Sequence, residues 1–84
     1  MMKNVDKIVM DIIKNGVPKN LKNEIRSESN LIEDLGFDSL KLLGMSVEFE
    51  KKANFDVLRA SEEVDFSEIR TVKDITDTVL KFQK

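Results

Sequence analysis

Residues 35–40 read Leu35-Gly36-Phe37-Asp38-Ser39-Leu40, and this stretch marks the point where a loop runs into a helix. Gly36 permits a turn, Asp38 is a favoured N-cap residue, and an apolar helical stretch begins at Leu40. We therefore expect Ser39 at the mouth of a helix with its hydroxyl outward. Because the N-terminal end of a helix favours negative charge, this position suits a phosphate group, including one attached covalently.

The helix that follows is predicted to run from Ser39 to Ala53 or Asn54, and its apolar residues fall on two faces. At about 100° per residue, one sector holds Leu42, Met45, Phe49 and Ala53. The second sector is named here the docking stripe and consists of Leu40, Leu43 and Val47. An ordinary surface helix needs one apolar face. Either the helix packs on both sides, or the docking stripe stays exposed and binds a partner groove through anchors at i, i+3 and i+7.

A first helix is predicted on the N-terminal side, from Asn4 to Asn15. Asn4 can cap it, Gly16 suits the left-handed position just past its end, and Pro18 prevents its continuation. The spacing of its apolar residues makes one stripe, formed by Val5, Ile8, Val9, Ile12 and Ile13.

The connection from Val17 to Asp38 is long, yet it carries too many apolar residues for a solvated linker. We interpret it as a loop packed over the helices, with a short turn at Asn30–Asp34. Its expected apolar anchors are Leu21, Ile25, Leu31, Ile32, Leu35 and Phe37.

Two segments are predicted after the second helix. A short acidic segment spans Ser61 to Ile69. The last helix opens with Thr71-Val72-Lys73-Asp74, where Thr71 stands three residues before a carboxylate, as in a capping box. Its buried stripe is predicted to consist of Val72, Ile75, Val79 and Phe82. The expected fold is therefore all-α, a small four-helix bundle with three longer helices, one short helix and a long loop between the first and second helices.

The composition narrows the possible functions. With 84 residues the chain is expected to form a single domain over residues 1–84, and it contains no Cys and no His. A Ser/His triad is therefore excluded, and we expect no catalytic residue and no metal site. A formal net charge of −2 argues against nucleic-acid binding. With no apolar run that could span a bilayer or direct export, we expect a cytoplasmic monomer.

Residues 34–40, Asp34-Leu35-Gly36-Phe37-Asp38-Ser39-Leu40, match the pattern D-L-G-x-D-S-L, and through them the chain resembles the acyl carrier protein family. Other features support the resemblance: Phe55-Asp56-Val57 at the end of the second helix, the acidic third segment, and Thr71-Val72-Lys73-Asp74. The likeness extends over nearly the whole chain.

The resemblance implies that Ser39 receives 4′-phosphopantetheine from coenzyme A through a separate Mg²⁺-dependent phosphopantetheinyl transferase. The arm would supply the thiol that this cysteine-free chain lacks. Asp38 and Leu40 would help the transferase recognise the site, and Leu43 and Val47 would contact partner enzymes. Glu48 matches no acidic position of the family and is predicted only as a polar rim residue of the partner-binding surface. The docking stripe would partly line a pocket for the bound chain. From the residues alone, simple helix capping is the favoured explanation of Ser39, and Asp38 is expected both to cap the helix and to take part in recognition.

Two residues depart from the fatty-acid type of carrier, in which carboxylates early in the second helix meet basic patches on the enzymes. Lys41 and Gly44 stand at two such positions. The hypothesis is a dedicated carrier for a polyketide, lipid-modification or similar specialised pathway.

The leading interpretation is a freestanding acyl carrier rather than an enzyme, serving a fatty-acid, polyketide or specialised lipid pathway. Its partners would be a ligase, a ketosynthase and an acyltransferase. One alternative is a carrier of aminoacyl groups, of the peptidyl or D-alanyl type; peptidyl carriers usually show Gly-Gly-x-Ser, so Asp38 favours the acyl type. The other alternative is an unmodified helical module that binds one protein.

Overall fold

The computed structural model describes residues 5–84, apart from the side chains of Ser39 and Phe66, and its regular structure is helical. The α-helices are α1 (Val5–Asn15), α2 (Ser39–Ala53), α3 (Val57–Glu63) and α4 (Val72–Lys81), with 3₁₀ helices at Lys19–Glu24 and Phe66–Glu68. The predicted all-α fold with its long first loop is confirmed. Each helix within residues 5–84 is too short or too polar to cross a membrane.

The core lies between α1, α2 and α4. The stripe predicted on α1 is buried except for Ile8, which is half-buried at the edge of the cluster. Burying apolar area of this kind is the main favourable term in folding. The most completely buried side chains of the described residues come from α1, the long loop, α4 and its C-terminal end: Val9, Ile13, Leu31, Phe37, Val79 and Phe82.

The predicted cap of α4 is confirmed. Thr71 Oγ1 accepts a hydrogen bond from the Asp74 N–H (3.2 Å), and Asp74 Oδ2 accepts from the Thr71 N–H (3.1 Å). Asp74 Oδ2 also accepts from the Arg70 N–H at 3.0 Å, and this bond is the main reason that the pKa of Asp74 is lowered. The stripe predicted along this helix is buried from Val72 to Phe82.

The predicted third segment, Ser61 to Ile69, is wrong in its bounds. The helix begins four residues earlier, at Val57, and ends at Glu63, and a separate 3₁₀ turn follows. Asp56 decides the start, because its Oδ1 accepts a hydrogen bond from the Arg59 N–H at 3.2 Å and caps α3.

The predicted role of Gly16 is also wrong, because this residue does not adopt the left-handed conformation. A methyl group placed on Gly16 would lie 3.4 Å from the Lys41 Cε and 3.5 Å from the Phe37 ring. Its small size therefore lets the end of α1 approach the start of α2. The predicted cap residue Asn4 lies outside the described residues.

Two backbone hydrogen bonds tie the middle of the long loop to residues around the start of α4. The Leu31 N–H donates to the Arg70 carbonyl (2.8 Å), and the Lys73 N–H donates to the Ser27 carbonyl (2.8 Å). Leu31, Leu35 and Phe37 are buried as predicted, and Leu21 and Ile25 are half-buried. Ile32 was expected to be an anchor but is exposed, because it lies on the outer side of the turn whose inner side buries Leu31. The loop therefore delivers the chain to α2 in a defined position.

Candidate functional site

The N-terminus of α2 is built by Asp38, as predicted. Its Oδ1 accepts a hydrogen bond from the Lys41 N–H at 2.8 Å, and its carbonyl accepts from the Leu42 N–H at 3.0 Å. Ser39 is the first residue of the helix, while its side chain lies outside the described part of the structure. Asp38 and Leu40 on either side of it are exposed. The residue predicted as the attachment site thus begins the helix between two exposed residues.

The turn before Ser39 anchors the site to the core. Gly36 has φ +72°, a left-handed conformation that suits glycine, and no atom would lie within 4 Å of a methyl group placed on it. Leu35 and Phe37 on either side are buried. The Phe37 N–H donates to the Leu31 carbonyl at 2.8 Å. Leu35 and Phe37 therefore anchor the end of the loop in the core, and the next residue, Asp38, is exposed to solvent.

Helix α2 buries only one of its two apolar faces within the chain. Met45, Phe49 and Ala53 belong to the core, and Leu42 is partly buried against it. The docking stripe remains exposed, with relative exposures of 79% for Leu40, 64% for Leu43 and 46% for Val47. The interpretation that this helix packs on both sides is therefore wrong. A contiguous row of exposed apolar side chains makes the docking stripe a candidate binding surface.

The charged residues around the docking stripe are mostly paired within the chain. Glu48 lies 3.5 Å from Lys52, and Glu50 lies 3.8 Å from Lys84. Both pairs are exposed and each contributes little to stability. Lys41 Nζ lies 5.5 Å from the centroid of the Phe37 ring. Glu48, predicted as a rim residue, is thus neutralised by its neighbour in this structure.

An apolar pocket of about 410 Å³ opens between α2, α4 and the long loop. This volume lies within the range of about 300–1,000 Å³ that is usual for small-molecule sites. Of the docking stripe, Leu43 lines the pocket. Leu43 follows Ser39 by four residues, or about one helical turn. The lining also includes Ile32, Leu42, Met45, Ser46, Phe49, Phe55, Ser67, Ile69, Ile75, Thr78 and Val79.

The three hydroxyl groups of this lining already donate hydrogen bonds within the chain. Ser46 donates to the Leu43 carbonyl (2.6 Å), and Thr78 donates to the Asp74 carbonyl (2.8 Å). Ser67 donates to Asp65 Oδ1 (2.6 Å), and this bond lowers the pKa of Asp65. With these donors engaged, the pocket offers mainly hydrocarbon surface to a ligand.

A comparison with known proteins decides the family. The chain is 41% identical over 75 residues to the acyl carrier protein of Syntrophobacter fumaroxidans (strain DSM 10017 / MPOB). The aligned region covers 87% of this chain and 84% of the relative. The chain belongs to the acyl carrier protein family. No protein-family model matches it, and no solved structure matches it. The family assignment predicted from residues 34–40 is thereby confirmed.

For this member of the acyl carrier protein family, the sequence predicted the N-terminus of α2 but not most of the residues that line the pocket. Ile32 and Thr78 line the pocket together although 46 positions separate them in the chain. Thr78 lies three residues after the buried Ile75, on the same side of α4, which is the one signal that could have indicated it. Nothing local to Ile32 separates it from the buried Leu31 beside it.

Proposed function

We propose that this chain is an acyl carrier, not a catalyst, and that it carries 4′-phosphopantetheine on Ser39. The main supporting observation is the Asp38-capped start of α2, where Ser39 is the first helical residue and lies between the exposed Asp38 and Leu40. The 41% identity to an acyl carrier protein supports the same proposal. Asp38 and Leu40 flank the site and contact the transferase, and Leu43 and Val47 contact the acyl-processing enzymes.

The residues at this site suit a phosphodiester. A first-turn N–H of a helix lacks an intrahelical partner, and the dipole favours negative charge there. Attachment forms a bond between the Ser39 oxygen and the phosphate of phosphopantetheine, breaks the pyrophosphate bond of coenzyme A, and releases adenosine 3′,5′-bisphosphate. The serine proton passes to a base of the transferase. The bound group then supplies the thiol on which acyl groups are held as thioesters.

Intact mass after incubation with coenzyme A, Mg²⁺ and a promiscuous phosphopantetheinyl transferase tests the attachment. We expect the chain to gain one phosphopantetheinyl group and Ser39→Ala to gain none. Ser46→Ala is the matched control, because Ser46 lies in the same helix and donates to the Leu43 carbonyl. An unmodified wild-type chain, or equal gain by Ser39→Ala, would contradict the proposal.

We propose that the acyl chain lies in the pocket between α2 and α4. The supporting observations are its apolar lining, its engaged hydroxyls and the position of Leu43 one turn from Ser39. Each CH₂ group buried contributes about 0.8 kcal/mol. A carrier loaded with a saturated chain should therefore unfold at a higher temperature than the unloaded carrier, and the gain should rise with chain length until the pocket is full.

A matched pair of serines tests this placement. Ser46 and Ser61 each donate to the carbonyl of a leucine three residues earlier, but only Ser46 lines the pocket. Ser46→Leu should abolish the gain in melting temperature on loading, whereas Ser61→Leu should keep it. The same gain in both variants would show that the chain lies elsewhere.

The pathway is proposed to be a specialised one, such as a polyketide or lipid-modification pathway. Lys41 and Gly44 replace the carboxylates through which fatty-acid carriers meet basic enzymes. A housekeeping fatty-acid ketosynthase should accept acyl groups from this carrier more slowly than from a fatty-acid carrier. Comparable transfer rates would reject a dedicated pathway.

A further inference from the structure

A groove between α1 and α2 has Gly44 at its surface, and we name it the Gly44 notch. It has a volume of about 350 Å³ and is lined by Ile12, Asn15, Gly16, Lys41, Gly44, Met45, Glu48 and Lys52. A methyl group placed on Gly44 would meet no atom within 4 Å. Since nothing in the described chain approaches Gly44 closely, packing within the protein does not account for a glycine inside this helix.

The Gly44 notch and the groove beside it together carry more lysines than carboxylates. Lys41 and Lys52 border it, and the groove that adjoins it along α1 adds Lys14 and Lys22. The carboxylates of the two grooves are Glu48, which lies 3.5 Å from Lys52, and Asp11. Lys41 forms no ion pair with any described residue, and its Nζ lies 5.5 Å from the centroid of the Phe37 ring. In a chain of net charge −2, four lysines thus face two carboxylates here.

The Gly44 notch lies beside the docking stripe. Gly44 follows Leu40 by four residues and precedes Val47 by three, so all three are neighbours on the helix surface. A partner that covers the stripe therefore reaches the notch with the same surface. The missing side chain at Gly44 leaves room for a group of the partner, and the lysines select its charge.

We propose that the Gly44 notch receives a carboxylate side chain of a partner enzyme whose apolar groove covers the docking stripe. This inference rests on the proposed function, since it concerns the enzymes that act on the loaded carrier. Charge complementarity carries it: the flexible Lys41 side chain can turn from the Phe37 ring towards an incoming carboxylate. Such pairs set orientation and association rate more than bulk affinity.

The probe is a fatty-acid ketosynthase chosen for a basic docking face, together with a variant whose basic residues on that face are replaced by Glu. Both enzymes are first assayed with an acylated pantetheine, so that their chemistry is matched. The loaded carrier is then offered to each. We expect kcat/KM about three to ten times higher with the acidic-faced enzyme, and we expect this preference to shrink as ionic strength rises.

Two carrier variants locate the effect. Lys41→Glu and Lys81→Glu both change the charge by the same amount and both remove a lysine that lies about 5.5 Å from a phenylalanine ring. Lys41→Glu should reverse the preference, whereas Lys81→Glu, on α4, should retain it. Gly44→Ala should lower kcat/KM with the acidic-faced enzyme severalfold while the variant remains folded by circular dichroism.

The intact mass measured before each assay distinguishes a failure of phosphopantetheine attachment from a failure of the proposed contact at the Gly44 notch. A carrier that gains no phosphopantetheine removes the proposed function and this inference together. A carrier that is loaded but works equally well with the basic-faced enzyme, or responds equally to Lys41→Glu and Lys81→Glu, overturns the inference alone. Unchanged kcat/KM in Gly44→Ala would exclude the notch as the place of contact.

Discussion

Asn30 and Asp34 bind each other across the turn that leads to Ser39. Asp34 Oδ2 accepts a hydrogen bond from the Asn30 N–H at 2.7 Å, and the Asp34 N–H donates to the Asn30 carbonyl at 2.9 Å. Asn30 Oδ1 also accepts from the N–H groups of Ile32 and Glu33, both at 2.9 Å. Asp34, the first residue of the family motif, therefore has a structural role in this chain, because it closes the turn with Asn30.

Asp34→Ala is expected to lower the free energy of unfolding by about 1 kcal/mol, because it removes the hydrogen bond from the Asn30 N–H that closes the turn. Urea unfolding measures this effect. Glu33→Ala is the control, because Glu33 contributes only its backbone N–H to the turn. Equal stability of Asp34→Ala and Glu33→Ala would show that the hydrogen bond between Asn30 and Asp34 does not stabilise the fold.

Asp38 is expected to act both in the helix cap and in recognition by the transferase, and two substitutions separate these roles. Asp38→Ala should lower stability by about 1 kcal/mol through loss of the bond from the Lys41 N–H. Asp38→Ser should retain the cap, because serine is also a favoured N-cap residue. If the carboxylate contacts the transferase, Asp38→Ser should be modified more slowly at nearly normal stability. A normal modification rate in Asp38→Ser would limit Asp38 to capping.

Leu43 and Met45 lie two positions apart on α2 and should respond oppositely to truncation. Met45 is 6% exposed and Leu43 is 64% exposed. Met45→Ala should cost about 2–5 kcal/mol of stability, as expected for a core cavity. Leu43→Ala should change stability by less than about 0.5 kcal/mol, yet slow acyl transfer to partner enzymes severalfold. Wild-type transfer rates in Leu43→Ala would remove Leu43 from the docking surface.

Gly44 and Gly36 should give opposite results when replaced by alanine. Gly44 lies in helical backbone with open space beside it, so Gly44→Ala should raise stability by about 1 kcal/mol. Gly36 has φ +72°, so Gly36→Ala should lower stability by about 1–2 kcal/mol. Thermal unfolding of both variants measures this contrast. A loss of stability in Gly44→Ala would contradict the expectation that a methyl group at position 44 fits without a clash.

The cap of α4 should weaken in acid. Hydrogen bonds from the Arg70 and Thr71 N–H groups lower the pKa of Asp74 in the folded chain. Its contribution is therefore complete above its ordinary pKa of about 3.9 and is lost as the pH falls through the lower folded value. Wild type should be more stable than Asp74→Asn at pH 7, and the difference should shrink towards pH 2.

Urea unfolding of both proteins across this pH range measures the change. Glu62→Gln is the control for the loss of one exposed negative charge, and it should show no comparable trend. A stability difference between wild type and Asp74→Asn that stays constant from pH 7 to pH 2 would argue against the charge of Asp74 as the cause.

The start of α2, its Asp38 cap, the Thr71 cap of α4 and the family motif were all predictable from the sequence. Each cap joins residues three positions apart and the motif is one run of seven residues, so the local sequence is sufficient to define them. Asp56 caps α3 by the same local rule, but the run of acidic residues from Glu62 onward placed the predicted start four residues too late.

Only the tertiary structure decided which apolar residues are covered. Leu31 and Ile32 are adjacent and chemically alike, yet the first is buried and the second is exposed at the border of the pocket. Likewise, Met45 and Phe49 belong to the core cluster that includes residues of α1 and α4, whereas Leu40, Leu43 and Val47 on the same helix are exposed. Burial depends on elements that are distant in the chain, and periodicity within one helix carries no information about them.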